Sequence, residues 1–228
     1  MDEPVKKTEF TTFIEREARI HVDGYIESAI HLAEEVHSGV KREDGKSPFL
    51  ETHIFPVAMD VIRHYKEANK PMTTVQVVSA ILHDVLEDND GILDPHAAKS
   101  YGFDAYFSHK FGDYVYRVAA TLKTKPLEGF MGDTDKEREI ARFRQYSNAL
   151  LRSEYDIKTI KLADRLNNMR FISRMPDHEK VARYVREAED FYIAYTIMEP
   201  VMDDYYLAIR KSYENLKDLA KRPVRITA

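Results

Sequence analysis

Between residues 25 and 38, "YIESAIHLAEEVHS", apolar side chains return every three or four positions, with Ile26, Ala29, Ile30, Ala33 and Val36 on one stripe. Such spacing predicts an amphipathic helix, and Gly39 supplies its stop signal. A charged loop, "KREDGKSPFLET", comes next, and "HIFPVAMDVIRHYKEA" then resumes the helical period. Pro56 is tolerated only near a helix start, which puts His53 at a helix N-terminal edge beside the loop. Thr73 or Thr74 can cap the helix that carries "SAILHDVLED", and Gly91 marks the loop after it. Residues 89–103 read as an irregular excursion, followed by short helices through "VYRVAATL". Helices are then expected at about 136–153, 156–173, 177–195 and 200–221, with Pro176 and Pro200 near two of the starts. The pattern predicts an all-α fold, without internal repeats, low-complexity tracts or a domain linker.

The helix expected over residues 79–91 is apolar through Ala80, Ile81, Leu82, Val85 and Leu86, yet it also carries His83-Asp84 and Glu87-Asp88. On an uninterrupted helix His83 lies above Glu87 and Asp84 above Asp88, so all four point into one sector at the edge of the core. Isolated carboxylates there are costly to desolvate, and a divalent cation would supply the missing positive charge. A second helix, "DIKTIKLADRLNNMRF", is apolar at Ile157, Ile160, Leu162, Ala163, Leu166 and Met169. Asp164 continues the row of Ile157 and Ile160, so it is expected to be buried, with Asn168 one turn later placed to orient a ligand group.

Composition narrows the field. The chain has 228 residues, 43% hydrophobic and 32% charged, which suits one large soluble globular domain, or one domain with a small appendage, and a substantial core. No apolar run approaches the ~18 residues of a membrane span, so no membrane partner is expected. "MDEPVKKTEF" lacks the apolar core of a secretory signal, and the absence of cysteine excludes disulfides and thiolate metal sites. A cytoplasmic location follows as the expectation. The formal charge of −5 argues against nucleic acid as a partner and requires a local basic patch for any anionic ligand.

With these residues in order, the chain resembles the HD-domain phosphohydrolases, and among them the hydrolase module of the RelA/SpoT-type alarmone enzymes and their small stand-alone homologues. The resemblance rests on "HSGVKREDGKSPF" with the following His53, then "ILHDVLED", "FGDYVYRVAATLK" and "IKLADRLNNMR". It implies an HD-domain helical bundle, with the whole of residues 1–228 as one hydrolase domain: a motif core at about 25–175 and C-terminal helices at about 176–222. It also implies that His53, His83, Asp84 and Asp164 hold a metal and that Glu87 and Asp88 are the catalytic pair. Two imidazoles and two carboxylates suit Mn²⁺, and also iron, nickel, cobalt or zinc. A cation there would acidify a coordinated water and polarise a phosphoryl group, while Glu87 or Asp88 takes the proton; the sequence leaves open which.

The function implied is hydrolysis of guanosine tetra- or pentaphosphate at the ribose 3′ position, releasing pyrophosphate. Arg42 would stack on the purine and Asn168 would contact the nucleoside. Of the basic residues near the motifs, Lys46, Lys161 and Arg165 are the candidate phosphate contacts. The loop between Arg42 and His53 looks longer than in the alarmone hydrolases, Asn89 stands where Thr is frequent, and about ten extra residues precede "FGDYV". These departures motivate an alternative nucleotide or dinucleotide substrate, and a non-catalytic nucleotide-sensing regulator is the reading of a different class. His37 matches a motif His and is expected to be structural or to act on a ligand from behind. Tyr205, Ile209, Leu216 and Leu219 form a C-terminal stripe read as closing the core, with homo-oligomerisation as its alternative use. No paired synthetase segment is expected.

Overall fold

The computed structural model describes residues 3–89, 102–175, 177–199 and 202–221. Gly91, Pro176, Pro200 and most of the 89–103 excursion therefore lie outside the described residues. The fold is all-α, as the periodicity predicts, with one isolated antiparallel bridge among the described residues, between Lys41 and Pro48. No helix among the described residues is long and apolar enough to cross a membrane. Cα proximity divides the chain into two compact units, Met1–Lys161 and Leu162–Ala228.

In the first unit, α1 (Lys7–Phe13) leads through a wide π-type turn to α2 (Gly24–Val36), which begins where the Asp23 carboxylate accepts the backbone N–H groups of Tyr25 and Ile26, each at 3.1 Å. Its predicted stripe is fully buried, together with Leu32. α3 (Phe55–Glu67) follows the wide turn Leu50–Ile54, with Pro56 in its first turn as expected. α4 (Thr74–Ile81) starts in a capping box made by Thr73 and Gln76 and packs against both α2 and α3.

The helix expected to run unbroken through His83 does not. α4 ends at Ile81, Leu82 and Asp84 take φ/ψ of −100°/10° and −99°/−8°, and a short α5 (Val85–Asp88) restarts the coil. The cause is local competition. His83 Nδ1–H reaches back to the Ala80 carbonyl at 2.9 Å, drawing that acceptor away from the helical ladder. His83 and Asp84 thus sit in a turn between two helices, and the stacked columns of the unbroken helix do not form.

α6 (Phe103–Leu122) carries the short helices expected before "AATL", divided by a kink at Gly112 with φ 85° and ψ 158°. The Tyr25 hydroxyl donates to the Phe111 carbonyl beside the kink at 2.6 Å, satisfying a group the break releases. α7 (Asp135–Leu151) has its own capping box, Thr134 with Glu137. α8 (Tyr155–Ile172) begins in the first unit, where Asp156 accepts the hydroxyls of Tyr65 and of Tyr114, the latter at 2.5 Å. His64, buried, lies 2.5 Å from the Tyr155 hydroxyl. Burial, followed by the Asp156 hydrogen bond, pushes both Tyr65 and Tyr114 upward, so they stay neutral donors that tie the start of α8 to α3 and α6.

The second unit contains the rest of α8, then α9 (His178–Glu187), the wide turn Ala188–Tyr192, α10 (Ile193–Met198) and α11 (Asp203–Ala220). α9 and α11 pack closely, burying Val181, Tyr184, Ile209, Tyr213 and Leu216. Of the C-terminal stripe, Tyr205, Ile209 and Leu216 are buried and Leu219 is half-buried.

Candidate metal centre

Three side chains of the first unit converge. His53 Nε2 lies 3.0 Å and His83 Nε2 3.2 Å from Asp84 Oδ2, and one ligand atom from each of the three falls within 4.8 Å of the others. Both imidazoles are buried, while the Asp84 side chain keeps 20% exposure. The turn at residues 82–84 brings this about: it carries Asp84 out of the α4 ladder and towards His53 at the entrance to α3. Desolvation disfavours the Asp84 carboxylate, but the His83 charge and then the His53 hydrogen bond outweigh it and hold the group well below the usual carboxylate range. An anion that stays ionised, faced by two imidazole nitrogens with no thiolate nearby, is the donor set of a divalent cation. His83 fits this role further, because its Nδ1–H is committed to the Ala80 carbonyl and fixes the ring with Nε2 turned to Asp84.

Arg42 does not stand open for a purine. Only 6% exposed, it places its guanidinium 3.3 Å from His53 Nδ1 and 6.0 Å from the centre of the Phe49 ring. The loop turns it inward: Arg42 N–H donates to the Ser47 carbonyl, Gly45 N–H donates to the Arg42 carbonyl, and Asp44 accepts from Ser47 Oγ at 2.5 Å and from the backbone of Lys46 and Ser47. The Ser47 hydroxyl, then the two backbone donors, bring the Asp44 carboxyl down to about 2. Lys46, on the same loop, is exposed.

Glu87 and Asp88 sit on α5, one turn beyond Asp84, and have different surroundings. Glu87 is exposed and accepts the Thr124 backbone N–H at 2.7 Å. Desolvation of its carboxyl outweighs the Thr124 hydrogen bond and raises its pKa, with Asp84 and Asp88 pushing the same way and Lys161 opposing. Lys161 Nζ also lies 5.0 Å from the centre of the Tyr146 ring. Asp88 Oδ2 meets His37 Nε2 at 3.2 Å, and the His37 ring stacks on Phe49 with centroids 5.1 Å apart. Neither Thr124 nor His37 was assigned to the catalytic pair from the sequence.

The remaining expected residues belong to the second unit. Asp164 is buried at 6% exposure, as its row predicted, and Asn168 Nδ2 donates to its Oδ1 at 2.5 Å. Arg165 is committed within the core of its unit: it pairs with Glu187 at 2.7 Å and lies 4.4 Å and 4.5 Å from the ring centres of Tyr184 and Tyr192. A guanidinium placed between two tyrosines and a glutamate also fastens the core of this unit.

Comparison with known proteins agrees with this geometry. The model of the HD domain matches residues 29–194. The chain is 29% identical over 163 residues to the rice protein named putative GTP diphosphokinase RSH1, chloroplastic, and 30% identical over 157 residues to the Arabidopsis thaliana protein of that name. It is 29% identical over 171 residues to the GTP pyrophosphokinase of Streptomyces coelicolor. These matches cover 69%, 68% and 73% of the chain but only 16%, 16% and 17% of the relatives. The chain thus spans about a sixth of the length of the curated relatives it matches. With the match running through both units and including the His-Asp turn, the chain belongs to the HD-domain family, with RelA/SpoT-type proteins among its relatives.

Proposed function

We propose that this chain is a divalent-metal-dependent phosphohydrolase that removes pyrophosphate from the 3′ position of guanosine tetra- or pentaphosphate. The observation that carries the reading is the convergence of His53, His83 and Asp84 within 4.8 Å, with Glu87 and Asp88 on the next turn. Asp164, by its place in "KLADRLNN", is proposed as a further ligand, with Asn168 orienting it. Mn²⁺ is the proposed cation, and it would supply Lewis acidity towards a phosphoryl oxygen and a water molecule. The chain's own residues supply the rest: Glu87 and Asp88 orient and deprotonate the attacking water, and Lys161 and Lys46 meet the phosphates. The names of the relatives point to guanosine nucleotides. We take residues 1–228 as one HD hydrolase domain, because the family match crosses the boundary between units, and we place the activity in the cytoplasm.

A second reading keeps the chemistry and changes the nucleotide. Arg42, buried against His53 and Phe49, favours it, since a guanidinium held there is turned away from base recognition. The test is to strip the protein, reload it with Mn²⁺ and resolve the products of guanosine tetraphosphate and a nucleotide panel by ion exchange. Manganese-dependent GDP and pyrophosphate are expected. Turnover of another nucleotide alone would replace the substrate, and silence across the panel would leave the nucleotide-sensing regulator.

A further inference from the structure

The two carboxylates of α5 are held differently, and the difference leads to His37. This residue follows α2, and its side chain is fully enclosed. Its Nδ1 lies 2.8 Å from the Ala33 carbonyl, which can only accept, so Nδ1 carries a proton and the ring orientation is set. Nε2 faces Asp88 Oδ2 at 3.2 Å, and because a carboxylate also only accepts, the contact that holds it is made by the ring protonated on both nitrogens, Nδ1–H to Ala33 and Nε2–H to Asp88. Phe49 packs on the ring at 5.1 Å and on His53 at 4.8 Å, standing between this pair and the His53, His83 and Asp84 set. Among the described residues Asp88 is thereby tied to a fully enclosed ring, whereas Glu87 accepts one hydrogen bond, from the backbone N–H of Thr124.

We propose that His37 is a positioning residue that fixes the Asp88 carboxyl, dividing the labour of the catalytic pair. Asp88, held from behind, orients the attacking water, and Glu87 takes its proton as the oxygen–phosphorus bond forms and the bond to the leaving oxygen breaks. His37 itself touches neither water nor substrate. The proposal rests on the phosphohydrolase reading above, and its test has one arm independent of that reading.

The two conservative variants separate the contacts of the ring. His37→Gln puts an amide N–H near the place of Nε2 and can still hold Asp88, whereas His37→Asn mimics Nδ1 and can reach only the Ala33 carbonyl. Steady-state kinetics on the Mn²⁺-loaded protein should show kcat down about tenfold or more in His37→Asn and His37→Ala, with KM within about twofold and metal content unchanged. His37→Gln should recover most of that kcat. Equal kcat in the Gln and Asn variants, or loss that tracks metal content, would reduce His37 to a packing residue and overturn the proposal. In the metal-free protein, ring ¹⁵N spectra should show His37 protonated on both Nδ1 and Nε2, with an Nε2 signal that moves on Asp88→Asn. A deprotonated Nδ1, or an Nε2 signal indifferent to Asp88→Asn, would refute the pair. A wild-type chain that hydrolyses no nucleotide yet shows the Nε2 shift would remove the phosphohydrolase reading and leave the His37–Asp88 pair standing.

Discussion

Replacing Glu87 with Gln separates the charge of this carboxyl from its hydrogen bond, and the two effects have opposite signs. The amide oxygen of Gln can still accept the Thr124 N–H now held at 2.7 Å, so the roughly 0.5–1.5 kcal/mol of a neutral hydrogen bond is retained. What is lost is the capacity to take a proton. General-base assistance contributes about 10²- to 10⁴-fold, so kcat should fall by that factor, equivalent to about 2.7–5.4 kcal/mol in the activation barrier. Stability should move the other way. Desolvation at its carboxyl end raises Glu87 above its ordinary 4.5, although the residue as a whole is exposed, so the folded chain favours the protonated form. That contribution is complete below pH 4.5 and lost as pH rises through the raised value, leaving the ionised group a net cost at neutral pH. A permanently neutral Gln removes the cost; because the residue is exposed, the gain should stay within about 0.5 kcal/mol. Urea unfolding of wild type and variant at pH 4 and pH 7, with kcat and metal content measured on the same preparations, gives all three quantities. A variant that keeps its metal and retains kcat within about threefold of wild type would refute the base role, and one less stable than wild type only at pH 7 would refute the sign of the electrostatic argument.

Asp84→Asn should weaken cation binding by more than the 10–100-fold typical of outer partners, because it removes the anion between His53 and His83; metal analysis after Mn²⁺ reloading reads this directly. Gly112→Ala meets no side chain at its new Cβ but must adopt φ 85°, so it should cost about 1–3 kcal/mol in chemical denaturation; a neutral result would mean the kink is adaptable. Glu187→Ala leaves the Arg165 guanidinium charged and buried and should cost about 3–5 kcal/mol, far more than an exposed pair, as measured by the same unfolding assay. Asp44 should titrate near 2 in carboxyl ¹³C spectra and return upward in Ser47→Ala. Its depressed value makes the contribution to loop stability present above the ordinary 3.8 and lost as pH falls through about 2.

Much of the molecule was legible along the chain because helix formation is decided by neighbours three and four residues apart. The stripe from Ile26 to Val36, Pro56 in the first turn of α3, and the buried row of Ile157, Ile160 and Asp164 all follow from that period, and the structure buries each apolar row as expected. The chemistry at 83–88 was likewise visible, since four polar groups in so apolar a segment require a ligand or a partner. Other features depend on tertiary structure. His37 and Asp88 are 51 residues apart, Thr124 and Glu87 37 apart, and no local period brings such pairs together. Arg42, expected by resemblance to stack on a purine, is turned inward beside His53 by a loop that the Asp44 turn closes. Nothing local in the sequence tells that Tyr184, Tyr192 and Glu187 gather around Arg165. Even the break at His83 escapes the hydrophobic period, because it arises from a side-chain hydrogen bond to Ala80 and not from the apolar rows. The sequence by itself determined which segments are helical and which polar residues are too costly to bury alone; packing decided which of those residues meet, because only the folded chain brings distant donors to the acceptors that a helix leaves exposed.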